Sequence, residues 1–276
     1  MEKLGMIPKS KDDAKKWRTR HNPSVVRLLK FMEDNKSTVT NQNSGMTGSY
    51  DFTGTRSFDD ALELLKNGSP DIMKGLKVAV KLESEKIKRE LNTQPEGYVS
   101  DVEGLFFDVA KVIEGEPECW YREPWDKTRK PRLNVPIMGS YNAGFAKEKA
   151  IKHGAEIIAL VKALENVGFE VSLHMVFLIE GASPDARFTV QSTTIKNYDE
   201  TFNWAKLSAM LHPSFFRRFM FREIELMFPN NLNSGYGRTA DPKSYFTNGG
   251  EFINIAKHDS IERFKASTFK QIRGAK

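Results

Sequence analysis

Apolar and polar positions follow two different rhythms along this chain, and the middle third carries both in succession. "RLNVPIMG" at 132–139 is a short apolar run that predicts a strand, with Pro136 arguing for an edge or a bulge. "AGFAKEKAIKHGAEIIALVKALENVG" at 143–168 has the three-to-four-residue repeat of an amphipathic helix, stopped by Gly168. "FEVSLHMVFLIEG" at 169–181 predicts a buried strand. Strand, helix and strand in that order make a βαβ unit with two parallel strands. "RFTVQSTTI" at 187–195 alternates and predicts a further strand.

Helical periodicity dominates elsewhere. Asn22 and Pro23 open "SVVRLLKFM" as cap and first helical residue, with Val25, Val26, Leu28, Leu29 and Met32 as its apolar face. "SFDDALELLKNG" at 57–68 has Ser57 and Asp60 at capping-box spacing and Gly68 as terminator. Helices are also expected over 71–91, 102–113, 199–211, 213–227 and, after Ser260, 260–272. The stretch "NKSTVTNQNSGMTGS" has no apolar period and predicts a flexible linker. The expected organisation is a basic arm with a docking helix at 1–34, the linker at 35–49, and one body at 50–276. The fold class is α/β or α+β: a central βαβ unit in a small mixed sheet surrounded by helices, with a helical C-terminal third.

Composition changes this picture in one respect. Residues 1–30 hold nine Lys or Arg against three acids, which accounts for the whole formal charge of +6. Residues 257–276 add a second basic concentration, six against two, that includes Lys270 and Arg273. Basic ends on a neutral body suit a polyanion, and they equally suit solvated tails. A single cysteine, Cys119, excludes a disulfide framework and a multi-cysteine zinc site. The longest apolar segment is about half of what a bilayer span needs, and the start lacks a secretory h-region, so no membrane partner is expected.

Catalytic patterns are missing. The turn "IMGSYNAGFAKEK" has neither a dinucleotide nor a P-loop glycine signature. Ser140 and Asn142 fit part of an oxygen-ligand site for a divalent ion, but Met138 stands where its acid belongs. The five histidines show no metal-ligand spacing; His174 reads as a hydrogen-bonded core residue and His153 as a residue near the solvent boundary. No G-x-S-x-G elbow occurs. The expectation is a protein that is not an enzyme and has no metal or cofactor.

Aromatic residues among bases do recur, in four places. The first is Lys15, Lys16, Trp17, Arg18 and Arg20. The second is the proline-broken loop 120–132, with Trp120, Tyr121, Arg122, Trp125, Lys127, Arg129, Lys130 and Arg132. Arg217 and Arg218 lie among the phenylalanines of "SFFRRFMFRE", and Tyr236, Arg238, Lys243 and Tyr245 lie in the glycine-containing segment 234–246. Unpaired bases stack on aromatic rings while cations follow the phosphates, so these residues are the candidate contacts for single-stranded nucleic acid. In the 213–227 helix, Phe215, Phe219, Met220 and Leu226 fall on one stripe and fit a core equally, with the arginines pairing to Glu223 or Glu225. In the loop, Trp125 and Arg129 are expected in solvent and Trp120 partly buried.

"SFDDALELLKNG", the "GEPE" turn at Gly115–Glu118 and the helix from His153 to Gly168 resemble segments of a family of tailed-bacteriophage proteins of unassigned function, over roughly residues 50–180. In size and basic-aromatic content the chain is also similar to the single-stranded-DNA-binding RNA polymerase cofactors of podoviruses that package their own polymerase. The resemblance implies single-stranded DNA and a phage RNA polymerase as partners, in the cytoplasm of an infected host. It implies a role in promoter opening and polymerase recruitment, or in replication. The alternative is a phage structural or host-takeover module that binds protein and no nucleic acid. A homo-oligomer stays open.

Overall fold

The computed structural model describes residues 9, 17–35, 50–74, 76–91, 99–101, 106–107, 109–114, 117, 119–122, 132–141, 144–166, 168–183, 186–227, 240–247 and 251–274. The first described element is a strand, β1 (Trp17–Asn22), followed by helix α1 (Val25–Asp34). Ser24 caps α1, accepting from the Arg27 amide, in place of the expected Asn22, whose side chain is used elsewhere. Val25, Leu28 and Met32 are buried, whereas Val26 points to solvent. Residues 17–34 of the expected arm therefore join the body: their strand extends the sheet, and their helix fills part of the core.

Two short helices come next, α2 (Tyr50–Thr53) and α3 (Phe58–Asn67). Ser57 and Asp60 form both halves of the capping box, and Gly68 ends α3 at φ +83°. The single helix expected over 71–91 is two, α4 (Pro70–Met73) and α5 (Leu76–Leu91), because Lys74 turns to extended backbone. A small antiparallel sheet then combines β2 (Val99–Asp101), β3 (Phe106–Phe107) and β4 (Trp120–Arg122), with β4 in the middle. The helix expected from 102 is shorter for this reason. Phe106 and Phe107 pair with Tyr121 and Trp120, and α6 starts only at Val109 (Val109–Glu114).

The predicted βαβ unit forms from β5 (Arg132–Met138), α7 (Lys147–Asn166) and β6 (Glu170–Ser183). β5 and β6 run parallel, from Arg132 beside Glu170 to Met138 beside Val176. β7 (Ala186–Lys196) returns antiparallel to β6, and β1 lies parallel to β7. At the far side β8 (Ile253–Asn254) pairs with β5 at Ile137 and Met138 only. Pro136 thus sits where β5 has β6 alone beside it, and its missing N–H costs no ladder bond. The mixed five-stranded order is β1-β7-β6-β5-β8.

The C-terminal third supplies α8 (Trp204–Met210), a π-helix at Phe215–Met220 that continues as α9 (Phe221–Met227), the short α10 (Pro242–Tyr245), and α11 (His258–Gly274). Asn203 caps α8, so that helix starts later than its predicted position 199. Ser260 lies inside α11 instead of capping it, and its hydroxyl accepts from the Asn254 amide. The sheet has two covered faces. Leu173, Met175, Phe177 and Ile179 join the main core beneath α7, α1 and the π-helix. Val176, Leu178 and Val190 point the other way, into a smaller core with Trp17, Met138, Ala240, Phe246 and Phe252. Each large side chain fully buried there is worth about 1.5–3 kcal/mol.

Candidate nucleic-acid interface

Two of the four basic-aromatic stretches meet in space. β1 places Trp17, Thr19 and His21 on one face, since strand side chains alternate. Trp17 is buried, meeting Phe246 edge-on at 5.4 Å and Tyr245 at 6.4 Å. Phe246 in turn stacks on Phe252. Asp241 caps α10 by accepting from the Lys243 amide, and Pro242 occupies its first position. This turn presents Lys243 to solvent and leaves Tyr245 half-buried. The Lys9 amide donates to the Tyr245 carbonyl at 2.9 Å, which brings another exposed base to the same place. The outcome is a patch around the edge strand: Lys9, Lys243 and Tyr245, with Thr19 exposed and Arg18 half-buried around the edge.

Other predicted contacts serve the interior. Trp17 packs in the small core and offers no free face. Every side chain from Phe215 to Glu225 is buried, so the single apolar stripe expected there gives way to a helix enclosed on all sides. Its arginines are consequently out of reach of phosphates. The Arg217 guanidinium lies 4.2 Å from the centre of the Tyr141 ring. Arg218 donates to the Thr55 hydroxyl at 2.7 Å, the Thr55 carbonyl at 2.6 Å and the Thr53 hydroxyl at 3.1 Å. Arg222 pairs with Glu225 at 2.5 Å. Burial holds the Arg217 and Arg218 pKa values below the ordinary guanidinium range.

Arg20 is half-buried and committed to Glu223, with its guanidinium 5.6 Å from the Phe31 ring centre. Arg132 is exposed, but its charge is matched by Glu170 at 2.9 Å. Trp120, Tyr121 and Arg122 form the central strand of the small sheet, which corrects their expected place on a loop. Lys270 is exposed on α11, and Arg273 lies in its last turn. Lys15, Lys16, Trp125, Lys127, Arg129, Lys130, Tyr236 and Arg238 lie outside the described residues, as does the expected exposure of Trp125 and Arg129.

Sequence reasoning offered Glu223 only as a partner for the arginines of its own helix and missed that it fixes the edge strand. Fully buried Glu223 accepts from Arg20 Nε at 2.9 Å, from Asn22 Nδ2 at 2.6 Å and from Gln191 Nε2. An acid inside "FMFREIELMF" was the available signal. On the opposite face His174 bridges the Ser172 and Thr194 hydroxyls at 2.8 and 3.0 Å, the core role expected of it. Burial pushes its pKa down to about 4. His21 meets the Ser192 hydroxyl at 3.0 Å, and burial lowers its pKa as well. His153 is buried, with Nδ1 2.6 Å from the Ile255 carbonyl, not at the solvent boundary where it was expected. Ser140, considered for a divalent ion, donates to the Leu178 carbonyl at 3.2 Å. Among the described residues no three His, Cys, Asp or Glu side chains are placed to hold a metal ion, and no helix is long and apolar enough to cross a membrane.

A family model described as a domain of unknown function (DUF7192) matches residues 11–273. No curated protein and no solved structure matches the chain.

Proposed function

The chain belongs to this family of unknown function, and we propose that it binds single-stranded DNA without acting as an enzyme. The observation that supports the reading is the meeting of Lys9 and of β1 with residues 240–247 at the edge of the sheet, which sets Lys9 and Lys243 beside Tyr245. Lysines there would follow a phosphate backbone, and the half-exposed tyrosine offers a ring for a base. β1, the edge strand among the described residues, adds backbone groups that a sugar-phosphate chain can meet. On the resemblance of its sequence to phage proteins, we propose that this binding serves phage transcription, at opened promoters with a phage RNA polymerase as partner, or replication, within the infected host.

Titrating labelled oligo-dT and a duplex of equal length with the full chain tests the proposal. Binding should favour the single strand and weaken steeply with salt, because released counterions drive it. Absence of binding at low salt would remove the reading.

A further inference from the structure

α5 is apolar on two sides. Leu76, Val80 and Ile87 are buried, as packing against α7 requires. Val78 and Leu82, one turn apart on the outer side, are 64% and 56% exposed. Lys77, Lys81 and Glu85 line a shallow open groove with them. Farther along, charges are compensated: Glu85 reaches Arg89 at 3.8 Å, and Glu83 takes Lys265 at 2.6 Å and Lys86 at 3.9 Å. Lys77 and Lys81 have no carboxylate within ion-pair distance among the described residues, and at i, i+4 spacing they repel one another.

We propose that this face of α5 docks an acidic, amphipathic segment of a partner protein. Two aliphatic side chains one helical turn apart match the anchors by which a helix lies against another helix. The uncompensated lysines at the same level select acidic flanks on the incoming segment. Nucleic acid fits less well, since Val78 and Leu82 give bases no π-face to stack on. A second copy of this chain would set Lys77 and Lys81 against an equally positive face. The site is independent of the proposed DNA contact. α5 packs with α7 on one side of the main sheet, while Trp17 and Tyr245 lie on the other.

The test is selection from a random peptide library on the immobilised full chain, followed by affinity measurement with the enriched peptides. These should combine large aliphatic residues at helical spacing with Asp or Glu beside them. Val78→Ser with Leu82→Ser should weaken them about ten-fold, as expected for losing two apolar anchors. Lys77→Glu with Lys81→Glu should turn the selection toward basic peptides, and neither pair should alter oligo-dT affinity. Both pairs are exposed, and a thermal melt checks their folding; either pair alone decides the question. No enrichment, enriched peptides without acids, or peptides indifferent to both pairs would overturn the proposal. So would self-association that the serine pair abolishes, or oligo-dT binding that the glutamate pair reduces.

Discussion

Arg20 on the edge strand and Glu223 on α9 are joined at 2.9 Å across 203 positions of chain. The carboxylate is wholly buried and the guanidinium only partly so. With Asn22 and Gln191 on the same carboxylate, this contact ties β1 and β7 to the helix behind them. Glu223→Ala strands two buried amide donors and one cation, and should cost about 3–5 kcal/mol in urea unfolding. Arg20→Ala should cost a comparable amount, since it leaves the wholly buried Glu223 carboxylate without its cation.

Acid should weaken the fold well above the carboxylate range. His174 and His212 are buried, and that burial sets both pKa values at about 4, below the ordinary 6.5. The unfolded chain therefore binds more protons between these limits. Their contribution is complete above about pH 6.5 and is lost as pH falls toward 4, at up to about 1.4 kcal/mol per unit for each histidine. Urea midpoints at pH 7, 6 and 5 would show the slope, and His174→Gln should flatten it.

Gly68 is a position for glycine alone. Its φ is +83°, and an added Cβ would stand 2.7 Å from the Ala205 backbone. Strain in the left-handed region and overpacking each cost about 1–3 kcal/mol, so Gly68→Ala should destabilise by about 2–4 kcal/mol. Gly144, with open space around its Cβ position, makes the matched control.

The proposed DNA contact separates charge from packing. Lys9→Glu or Lys243→Glu should weaken oligo-dT binding, and loss of each phosphate contact should lower the salt slope by about 0.7. Trp125→Ala should cost affinity and leave that slope nearly unchanged. Trp17→Ala should act through stability, because its ring fills the small core. Anisotropy over a salt series, read beside a thermal melt, distinguishes the three.

Local pattern accounts for the βαβ unit, the β7 strand and the capped α3 helix, where period, cap and terminator agree within one segment. It does not account for β1. "WRTRHN" alternates aromatic, basic and polar residues and becomes a strand through pairing with β7, far along the chain. The reason Asn22 does not cap α1 is equally remote, since Glu223 takes its amide. Arg217 and Arg218 look like surface charges because helical spacing says nothing about what lies behind the polar side. Here that side meets Tyr141, Thr53 and Thr55, contributed by three separate elements and loops. Of the candidate interface, the aromatic-basic composition was legible and the partnership of its segments was not. Lys9 and Tyr245 meet through a backbone bond that side-chain pattern does not encode.

The parallel pairing of β1 with β7 also sets a timetable for synthesis. His21 leaves the ribosome 171 residues ahead of Ser192, the neighbour that it touches in the finished sheet. At about 5–20 residues per second, the first strand waits roughly ten to thirty seconds for its partner. During that interval Trp17 lacks the aromatic part of its eventual cover, because Phe246 and Phe252 are made later still. The nascent chain therefore offers chaperones an early, slowly retired binding segment at its N-terminal end, and the sheet closes only after most of the protein has been made.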